Sequence, residues 1–250
     1  MNLLQGKIAI VTGAGSGFGA QIAKRYVENG AKVIIADINL DAATKVANEL
    51  GDNSVAVRCD VTNCAEVEGA VKRCIEVFGA PDIVVNNAGY AYPTRSLLEV
   101  NEETFDRTFN VNVKSIYFMT LAVVPLMKER KSGVILNIGS TAGIRPRPGT
   151  VWYNASKGAV NLLSKAMAVE LAADGIRVNA ICPVIGATAM LENFLGAPDT
   201  PENRAKFIAT IPLGRLSEPD DVAQAALFLA SDNAQFLTGL EMPVDGGRTI

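Results

Sequence analysis

The sequence predicts an α/β fold: a single doubly wound Rossmann-type domain in which helices cover both faces of a parallel sheet of about seven strands. Three observations carry this prediction. Short apolar runs alternate with stretches of helical spacing from the first residues onward. The short runs are apolar at consecutive positions, which is typical of parallel strands buried on both faces. A glycine-rich turn directly follows the first run, where this fold places its first strand-to-helix connection.

The predicted elements follow one another in strict alternation. Gly30 and Gly51 stand where the first two helices should end, because glycine readily adopts the left-handed conformation of a helix C-terminus. The predicted strands cover 7–12, 32–37, 54–58, 82–86, 133–138, 177–182 and 240–243. The predicted helices cover 18–29, 41–50, 63–78, 101–131 and 152–173, and a further helix begins near Pro219.

The chain contains no internal repeat and no linker composition that would divide it, so we expect one domain over residues 1–250. One stretch breaks the alternation. Residues 188–215 contain prolines and glycines at 196, 198, 201, 212 and 214. We therefore expect a substrate-loop insertion at about 188–215, irregular in structure and able to act as a mobile lid.

The composition excludes several classes of chemistry. The 250 residues include no histidine, which excludes Ser-His-Asp and Cys-His nucleophiles and HExxH metal sites. The net charge is −3 and no basic run stands out, so we expect no nucleic-acid or membrane partner. No apolar run reaches the ~18 residues needed to span a bilayer. The four cysteines form no CxxC pair, and the sequence predicts no metal site and a cytoplasmic location.

The turn after the first predicted strand indicates a dinucleotide site. Its glycines, Gly13, Gly17 and Gly19, have GxxxGxG spacing rather than GxGxxG, because position 18 is Phe. Glycines let the backbone approach a pyrophosphate at a helix N-terminus. Asp37 ends the second strand, where the dinucleotide fingerprint has its ribose-binding acid. Cofactor binding is therefore favoured over a simple tight turn.

Asp37 also indicates which dinucleotide is bound. A carboxylate accepts hydrogen bonds from a ribose diol but repels a 2′-phosphate. No Lys or Arg stands at Ser16, Ile38 or Asn39 to attract that phosphate. Asp37 could instead cap the next helix, although Asn39 could do so equally well. The sequence predicts NAD rather than NADP.

Tyr153 and Lys157 form the most plausible acid–base pair in a chain without histidine. They are four residues apart in a predicted helix, which places them on one face about 6 Å apart along its axis. A free tyrosine titrates near 10, but an ammonium and an oxidised nicotinamide ring would both favour the phenolate. Lowering its pKa by about three units takes roughly 4 kcal/mol. Spacing alone is weak, since such pairs also occur on solvated helix faces.

Taken together, the motifs resemble those of the short-chain dehydrogenase/reductase family, of the type with about 250 residues. The resemblance runs from Lys7 to Gly247. The motifs that carry it, in family order, are Thr12-Gly13 with Gly17 and Gly19, Asp60-Val61, Asn86-Asn87-Ala88-Gly89, Asn110-Val111-Asn112-Val113, Ser140, Tyr153-Asn154-Ala155-Ser156-Lys157 and Ile176-Arg177-Val178-Asn179.

The resemblance implies a role for each matching residue. Tyr153 is the expected general acid/base, Ser140 binds the substrate oxygen, and Lys157 lowers the pKa of Tyr153 and holds the nicotinamide ribose. Asn112 organises a water relay from Lys157 to solvent. Individual matches have simpler explanations, since Asn87 could belong to a turn and Ser140 could cap a helix. The expected cofactor contacts are Gly13, Ser16, Gly17, Phe18, Gly19, Asp37, Ile38, Asp60, Val61, Asn87, Ala88, Gly89, Tyr153, Lys157, Pro183, Val184, Gly186 and Thr188.

After the sixth strand the chain departs from the family pattern. The family usually has Pro-Gly here, whereas this sequence reads Pro183-Val184-Ile185-Gly186-Ala187-Thr188. The glycine is displaced three places downstream of the proline. The backbone path beside the nicotinamide carboxamide is therefore less well defined, although we still expect Pro183 and Thr188 to contact that end of the cofactor.

The resemblance also indicates mostly apolar substrate walls. A secondary alcohol or ketone of modest size would fit, as would a sugar or a ring diol. Arg145 and Arg147 lie near the site in sequence and could bind a carboxylate, but solvent-facing loop arginines are the more common case. The expected wall residues are Ala91, Tyr92, Ala142, Ile144, Val151, Trp152, Met190, Leu191, Phe194 and Leu195.

The function predicted from these residues is an NAD(H)-dependent oxidoreductase, an alcohol dehydrogenase or carbonyl reductase that interconverts a secondary alcohol and a ketone. A 3-oxoacyl-carrier-protein reductase would share every motif, although Asp37 and the lack of a basic docking surface disfavour it. A non-catalytic dinucleotide-sensing protein would not need Asn112, Ser140, Tyr153 and Lys157 together. The family resemblance implies a homotetramer built through 101–131, 152–173 and the C-terminal segment, with a small-molecule substrate as its other partner.

Overall fold

The computed structural model describes residues 2–186 and 191–250. The strands are β1 (Ile8–Thr12), β2 (Lys32–Asp37), β3 (Ser54–Arg58), β4 (Ile83–Asn86), β5 (Gly133–Ile138), β6 (Ile176–Pro183) and β7 (Glu241–Val244). The helices are α1 (Gly17–Glu28), α2 (Leu40–Leu50), α3 (Cys64–Val77), α4 (Glu102–Phe109), α5 (Ser115–Arg130), α6 (Val151–Leu171), α7 (Leu191–Leu195), α8 (Pro201–Ile208) and α9 (Pro219–Ala230). Short 3₁₀ turns lie at Leu97–Glu99, Thr141–Gly143, Ala172–Asp174 and Asp232–Ala234.

The strands form one parallel sheet in the order β3-β2-β1-β4-β5-β6-β7, which is the doubly wound arrangement that the sequence predicts. Each predicted strand is present within one residue at either end. Because the chain starts in the middle and winds outward in both directions, the loops after β1 and β4 diverge. Their divergence opens a crevice at the carboxyl edge of the sheet.

Two apolar layers hold the sheet between the helices. Alternate strand residues such as Ala9 and Val11 pack on one face with α1, α2 and α9. The intervening residues, such as Ile10 and Ile34, pack on the other face with α3, α5 and α6. This alternation explains why the strands are apolar at consecutive positions, since both faces are covered.

The predicted helix over 101–131 is present, but its middle turn is π-helical and not α-helical. A π-helical segment, Asn110–Lys114, separates α4 from α5. A π-turn inserts one extra residue per turn, so it changes which face the following side chains occupy, and such turns are frequent at functional sites. Here the turn buries Asn112, whose side chain is only 2% exposed.

The segment predicted to be irregular, 188–215, contains the helices α7 and α8, so that prediction is wrong for these residues. Thr200 caps α8 by accepting a hydrogen bond from the Asn203 N–H at 3.3 Å. Pro201 occupies the first helical turn, where its missing N–H has no intrahelical partner to lose. The proline that suggested irregular structure therefore starts a helix.

An 18-residue window within Glu102–Arg130 has a mean hydropathy of 1.3, so this stretch is long and apolar enough to cross a membrane by length and composition. The predicted absence of an uninterrupted apolar run of ~18 residues holds here, since Lys114 and Thr120 break the run, but the conclusion that no segment is long enough to span a bilayer fails by this measure. In the structure, however, Ile116, Met119 and Val123 pack in the apolar layer shared with α3 and α6. A helix that covers a sheet needs this composition, so the stretch is explained as a core helix.

Candidate active site

One cavity of about 360 Å³ follows the carboxyl edge of the sheet. Its first end is bordered by the glycine-rich turn after β1 and by the ends of β2 and β3. Its second end is bordered by the loop after β5, the start of α6, and residues of α7 and α8. The predicted site residues that line it are Gly13, Ser16, Gly17, Phe18, Asp37, Ile38, Asp60, Val61, Asn87, Ala88, Gly89, Ser140, Tyr153, Lys157, Pro183, Val184 and Gly186.

The glycine-rich turn requires glycine for two different reasons. Gly13 and Gly17 have φ of 61° and 56°, in the left-handed region where a side chain is disfavoured. Gly19 has ordinary helical backbone but no room for a side chain. A Cβ there would lie 2.4 Å from the Gly13 carbonyl oxygen and 2.5 Å from Asn87 Nδ2. Gly19 is thus a close-approach residue behind the turn and does not line the cavity.

Asn87 holds the turn from the neighbouring strand. Its Nδ2 donates to the carbonyl oxygens of Thr12 at 2.8 Å and Gly13 at 3.0 Å. The Thr12 hydroxyl accepts in return from the backbone N–H groups of Asn87 and Ala88. Because β1 and β4 are adjacent, the motifs Thr12-Gly13 and Asn87-Ala88-Gly89 form one hydrogen-bonded unit.

Two carboxylates face the first end of the cavity. Asp37 is half-buried; its Oδ2 accepts from the Gly15 N–H at 2.8 Å and its Oδ1 from the Asn39 N–H at 2.9 Å. These bonds fix the carboxylate beside the turn. Asp60 Oδ1 accepts from the N–H and the hydroxyl of Thr62. Both carboxylates line the cavity, where they could accept hydrogen bonds from the hydroxyl groups of a nucleoside.

The loop after β6 reaches the glycine-rich turn through an unpredicted contact. Gly186 bridges to Ser217, and a Cβ at Gly186 would lie 2.5 Å from the ring of Phe18. The ring of Phe18 thus occupies the space that a side chain at position 186 would need. Thr188 and Met190, predicted as a cofactor contact and a wall residue, lie outside the described residues.

Tyr153, Ser140 and Lys157 meet near the middle of the cavity, each less than a tenth exposed. Burial raises the pKa of Tyr153 to about 12, while the Ser140 hydroxyl and the positive charge of Arg147 oppose this rise. Burial outweighs these two groups, so the pKa of Tyr153 is raised within the protein and not lowered as expected. The charge that favours the phenolate comes from Arg147, which the sequence did not indicate for this purpose.

Lys157 is a buried cation with a fixed position. Its Nζ donates to the carbonyl oxygen of Ile138 at 2.7 Å and lies 6.0 Å from the centroid of the Tyr153 ring. Burial lowers the pKa of Lys157 to about 8. The ammonium is therefore retained at neutral pH but is close to its titration range.

Asn112 contacts the backbone around the site and does not line the cavity. Its Oδ1 accepts from the Tyr90 N–H at 2.8 Å, and its Nδ2 donates to the Tyr90 carbonyl and to Ser156 Oγ, both at 3.0 Å. Ser156 Oγ donates in turn to the Tyr153 carbonyl at 2.8 Å. Asn112 thus joins the loop after β4 to the first turn of α6. The predicted water relay stays a prediction.

The second end of the cavity differs from the expected substrate walls. Of the predicted wall residues that the structure describes, Ala142 and Phe194 line it. Tyr92 supports the wall from behind, since its hydroxyl accepts from the Trp152 N–H at 3.0 Å. The described wall residues that lie away from the cavity lining are Ala91, Tyr92, Ile144, Val151, Trp152, Leu191 and Leu195.

Sequence reasoning missed several residues at this end. Thr150 precedes Tyr153 closely enough to be found by position, but Phe207, Arg248 and Thr249 come from segments distant in sequence. At the first end it missed Cys59, whose thiol pKa burial raises to about 12. Nothing in the local sequence at these distant positions signals a site.

Comparison with known families and relatives gives matches over nearly the whole chain. A family model described as enoyl-(acyl carrier protein) reductase matches residues 13–249. The 4-formylbenzenesulfonate dehydrogenase of Comamonas testosteroni is 46% identical over 253 residues, covering 100% of both chains. The 2,5-dichloro-2,5-cyclohexadiene-1,4-diol dehydrogenase of Sphingobium indicum is 38% identical, covering 100% of this chain and 98% of its own.

Comparison with solved structures likewise gives a match over nearly the whole chain. A crystal structure of 3-ketoacyl-(acyl-carrier-protein) reductase from Brucella melitensis, complexed with NADH, superposes with a TM-score of 0.94. It is 46% identical to this chain, and the match covers 99% of this chain and 100% of the other.

Proposed function

The chain belongs to the short-chain dehydrogenase/reductase family, and we propose that it is an NAD(H)-dependent oxidoreductase that interconverts a secondary alcohol and a ketone. One observation carries this proposal. A single cavity is lined at one end by the glycine-rich turn with Asp37 and, further along, by Tyr153 and Ser140. A dinucleotide and a hydroxyl-bearing substrate could therefore lie in contact with each other.

The chain's residues fit the cofactor along the first end of the cavity. The backbone N–H groups at the start of α1 are suited to bind an anion such as a phosphate. Because Gly13 has no side chain, its backbone packs closely against Ala88 and leaves the cavity open to the ligand. Ser16 begins α1 without a side-chain capping bond, so its hydroxyl can face a ligand. Asp37 supports NAD over NADP by the charge argument, and the Brucella relative was solved with NADH.

The bound nicotinamide supplies or accepts the hydride. Tyr153 takes the alcohol proton during oxidation and returns it during reduction, while Ser140 donates a hydrogen bond to the substrate oxygen as charge develops there. Arg147 and Lys157 place positive charge near the phenol, and the charge of Arg147 opposes the rise that burial causes in the pKa of Tyr153. Asn112 acts indirectly by holding the first turn of α6.

The test is a screen of NAD⁺ reduction, followed at 340 nm, over alcohols, polyols, sugars and hydroxy acids. The Tyr153→Phe variant should lose about 10²- to 10⁴-fold in kcat on the substrate found, because general acid–base catalysis is removed. Its NADH affinity, measured by fluorescence titration, should fall by less than about tenfold, since at most one hydrogen bond to the cofactor is lost. The matched control is Tyr117→Phe, which removes the same hydroxyl from the exposed side of α5.

Two results would contradict the proposal. Undiminished turnover by Tyr153→Phe would remove the phenol from the mechanism. Tight NADH binding with no turnover across the whole panel would favour a dinucleotide-sensing protein.

A second candidate, 3-oxoacyl-carrier-protein reductase, is supported by the name of the Brucella structure. It predicts NADH-dependent reduction of an acetoacetyl-pantetheine thioester at a kcat/KM well above that of simple ketones. The preferred proposal predicts the opposite order, so one assay with both kinds of ketone separates the two candidates.

We also propose the homotetramer that the resemblance implies. Both α5 and α6 expose large apolar side chains on their outer faces, including Tyr117 and Leu121 on α5 and Leu162 and Val169 on α6. Such a patch is typical of an interface. Sedimentation of a monomer at micromolar concentration would contradict this assembly.

A further inference from the structure

The second end of the cavity is lined by three arginines. Arg145 and Arg147 lie between β5 and α6, and Arg248 lies near the C-terminus. Arg145 donates from Nη1 to the Arg248 carbonyl oxygen at 2.9 Å, which joins the two segments. Burial, and after it the charge of Arg248, lowers the pKa of Arg147. Like charges close to one another are unfavourable unless an anion compensates them.

Two contacts hold the Arg147 guanidinium in place. Its Nη2 donates to the Phe194 carbonyl oxygen at 2.8 Å, and its guanidinium carbon lies 4.5 Å from the centroid of the Phe207 ring. Stacking and hydrogen bonding together fix the plane of the guanidinium. A guanidinium has five N–H donors, so most of them are left for a ligand. The solvent-facing interpretation is wrong for Arg147, which is half-buried, and correct for Arg145, which is exposed.

No protein carboxylate compensates these charges. Within residues 2–186 and 191–250, no ion pair within 4.0 Å involves Arg145, Arg147 or Arg248, and positions 1 and 187–190 carry no acidic residue. The nearby Asp245 uses its oxygens on the N–H of Gly247 and on Thr249. By contrast, Arg25, Arg58, Arg204 and Arg215 each pair with a carboxylate.

The arginine cluster lies beside the proposed reaction centre. The ring of Phe194, whose carbonyl holds Arg147, is 5.2 Å from the ring of Tyr153. Arg147 and Tyr153 are close enough for the charge of each to act on the pKa of the other. A substrate with its hydroxyl at Tyr153 could therefore place a second group at Arg147, with the rings of Phe194 and Phe207 along its apolar part.

We propose that the substrate carries a carboxylate or sulfonate, which Arg147 binds with its free N–H groups while Arg145 and Arg248 add positive charge. Planar, forked donors suit such an oxyanion, and charged hydrogen bonds are the stronger kind. This inference rests on the proposed function, because it places the reacting oxygen at Tyr153. The substrate class becomes an anionic secondary alcohol or ketone, such as a hydroxy or keto acid with an apolar spacer.

The test compares two ketones of equal shape, 4-acetylbenzoate and its neutral isostere 4-acetylbenzamide, with NADH. The wild-type protein should favour the carboxylate. Arg147→Gln should lower kcat/KM for 4-acetylbenzoate by about 10- to 100-fold more than that for 4-acetylbenzamide, since both ketones lose the charge beside Tyr153 but only the carboxylate loses its binding partner. The matched control, Arg73→Gln, removes an exposed arginine on α3 outside the cavity and should change neither value.

Three outcomes would overturn the inference. Equal losses on both ketones would confine Arg147 to its effect on Tyr153 or to a structural role. A raised KM for NADH with no change in substrate preference would assign it to cofactor binding. A wild-type protein with equal kcat/KM for the two ketones would show that the substrate needs no anionic group. Arg147→Lys keeps the positive charge but lacks the forked N–H donors of the guanidinium. It should retain part of the preference for 4-acetylbenzoate, and it provides a second variant in case Arg147→Gln does not fold.

Failure of the proposed function is distinguished by a binding measurement. Calorimetric titration of the NAD⁺-saturated protein with each ketone involves no turnover, since a ketone cannot reduce NAD⁺. A Kd at least tenfold lower for 4-acetylbenzoate supports the anion site even if neither ketone is reduced. Equal or absent binding of both overturns it.

Discussion

The two ends of the cavity are built from different parts of the polypeptide. At the cofactor end the glycine-rich turn presents backbone to the cavity, with Gly13 and Gly17 forming the turn and Gly19 allowing its close approach. At the substrate end the surface is made by side chains such as Arg147 and Phe207. At the cofactor end an added side chain would collide with neighbouring backbone. At the substrate end a different side chain would change which ligand is bound. A family can thus keep one cofactor and vary its substrate.

The largest effect should follow from adding one methyl group at the backbone-built end. In Gly19→Ala the new Cβ meets the Gly13 carbonyl oxygen at 2.4 Å, so the turn must shift. Overpacking of this kind costs about 1–3 kcal/mol. We expect NADH affinity, measured by fluorescence titration, to fall by about 10- to 100-fold.

Gly69→Ala is the matched control, because Gly69 lies in α3 with no atom within 4 Å of an added Cβ. The same methyl should there stabilise the helix by about 0.5–1 kcal/mol and leave NADH affinity unchanged. Unchanged NADH binding by Gly19→Ala would mean that the turn adapts, and the contrast between the two ends would lose its basis.

An intermediate effect is expected where the two ends meet, at Lys157. The unfolded lysine keeps its proton up to its ordinary pKa of 10.5, but the folded one only to about 8. Between these values the unfolded chain binds more protons, so the free energy of unfolding rises with pH. Lys157→Met lacks this contribution. The wild type should therefore gain about 2 kcal/mol relative to the variant between pH 7 and pH 10.

Urea unfolding of both proteins across this pH range measures the difference. Lys72→Met, which removes an exposed lysine from α3, is the control and should show a difference that varies by less than about 0.5 kcal/mol. A constant difference for Lys157→Met would show that its ammonium is not destabilised by burial.

The contrast between the two ends also explains what the sequence could predict. The cofactor end was found because its residues are contiguous in the chain, and Asp37 follows at a fixed distance along one βαβ unit. The substrate end joins residues such as Arg147 and Arg248, which lie about a hundred positions apart. No spacing rule connects them. Only the return of the chain over β6 and β7 brings them together.

Two further differences have local causes. The π-turn at Asn110–Lys114 shifts the helix face by a single residue, a change too small to be recognised from the spacing of apolar residues over 101–131. The helix α8, in contrast, carried its own start signal, Thr200 followed by Pro201, which glycines and prolines in the same segment obscured.

The smallest effect should follow from removing one charge at the cofactor end. Asp37→Asn keeps an oxygen for the Gly15 N–H but loses the negative charge beside the ribose. Weaker binding of the ribose diol should raise the KM for NADH by about tenfold, since a hydrogen bond to a charged group contributes about 1.5–3 kcal/mol. The KM for NADPH should fall, because repulsion of the 2′-phosphate is removed.

The ratio of kcat/KM for NADH to that for NADPH measures this shift on any substrate the protein accepts. Asp41→Asn, which neutralises an exposed carboxylate four residues further on in α2, controls for the change in net charge and should leave the ratio unaltered. If Asp37→Asn impaired NADH use as strongly as Gly19→Ala, a side chain would matter at this end as much as the backbone does. The cofactor end would then resemble the substrate end in construction, and a single substitution could redirect cofactor choice as readily as substrate choice.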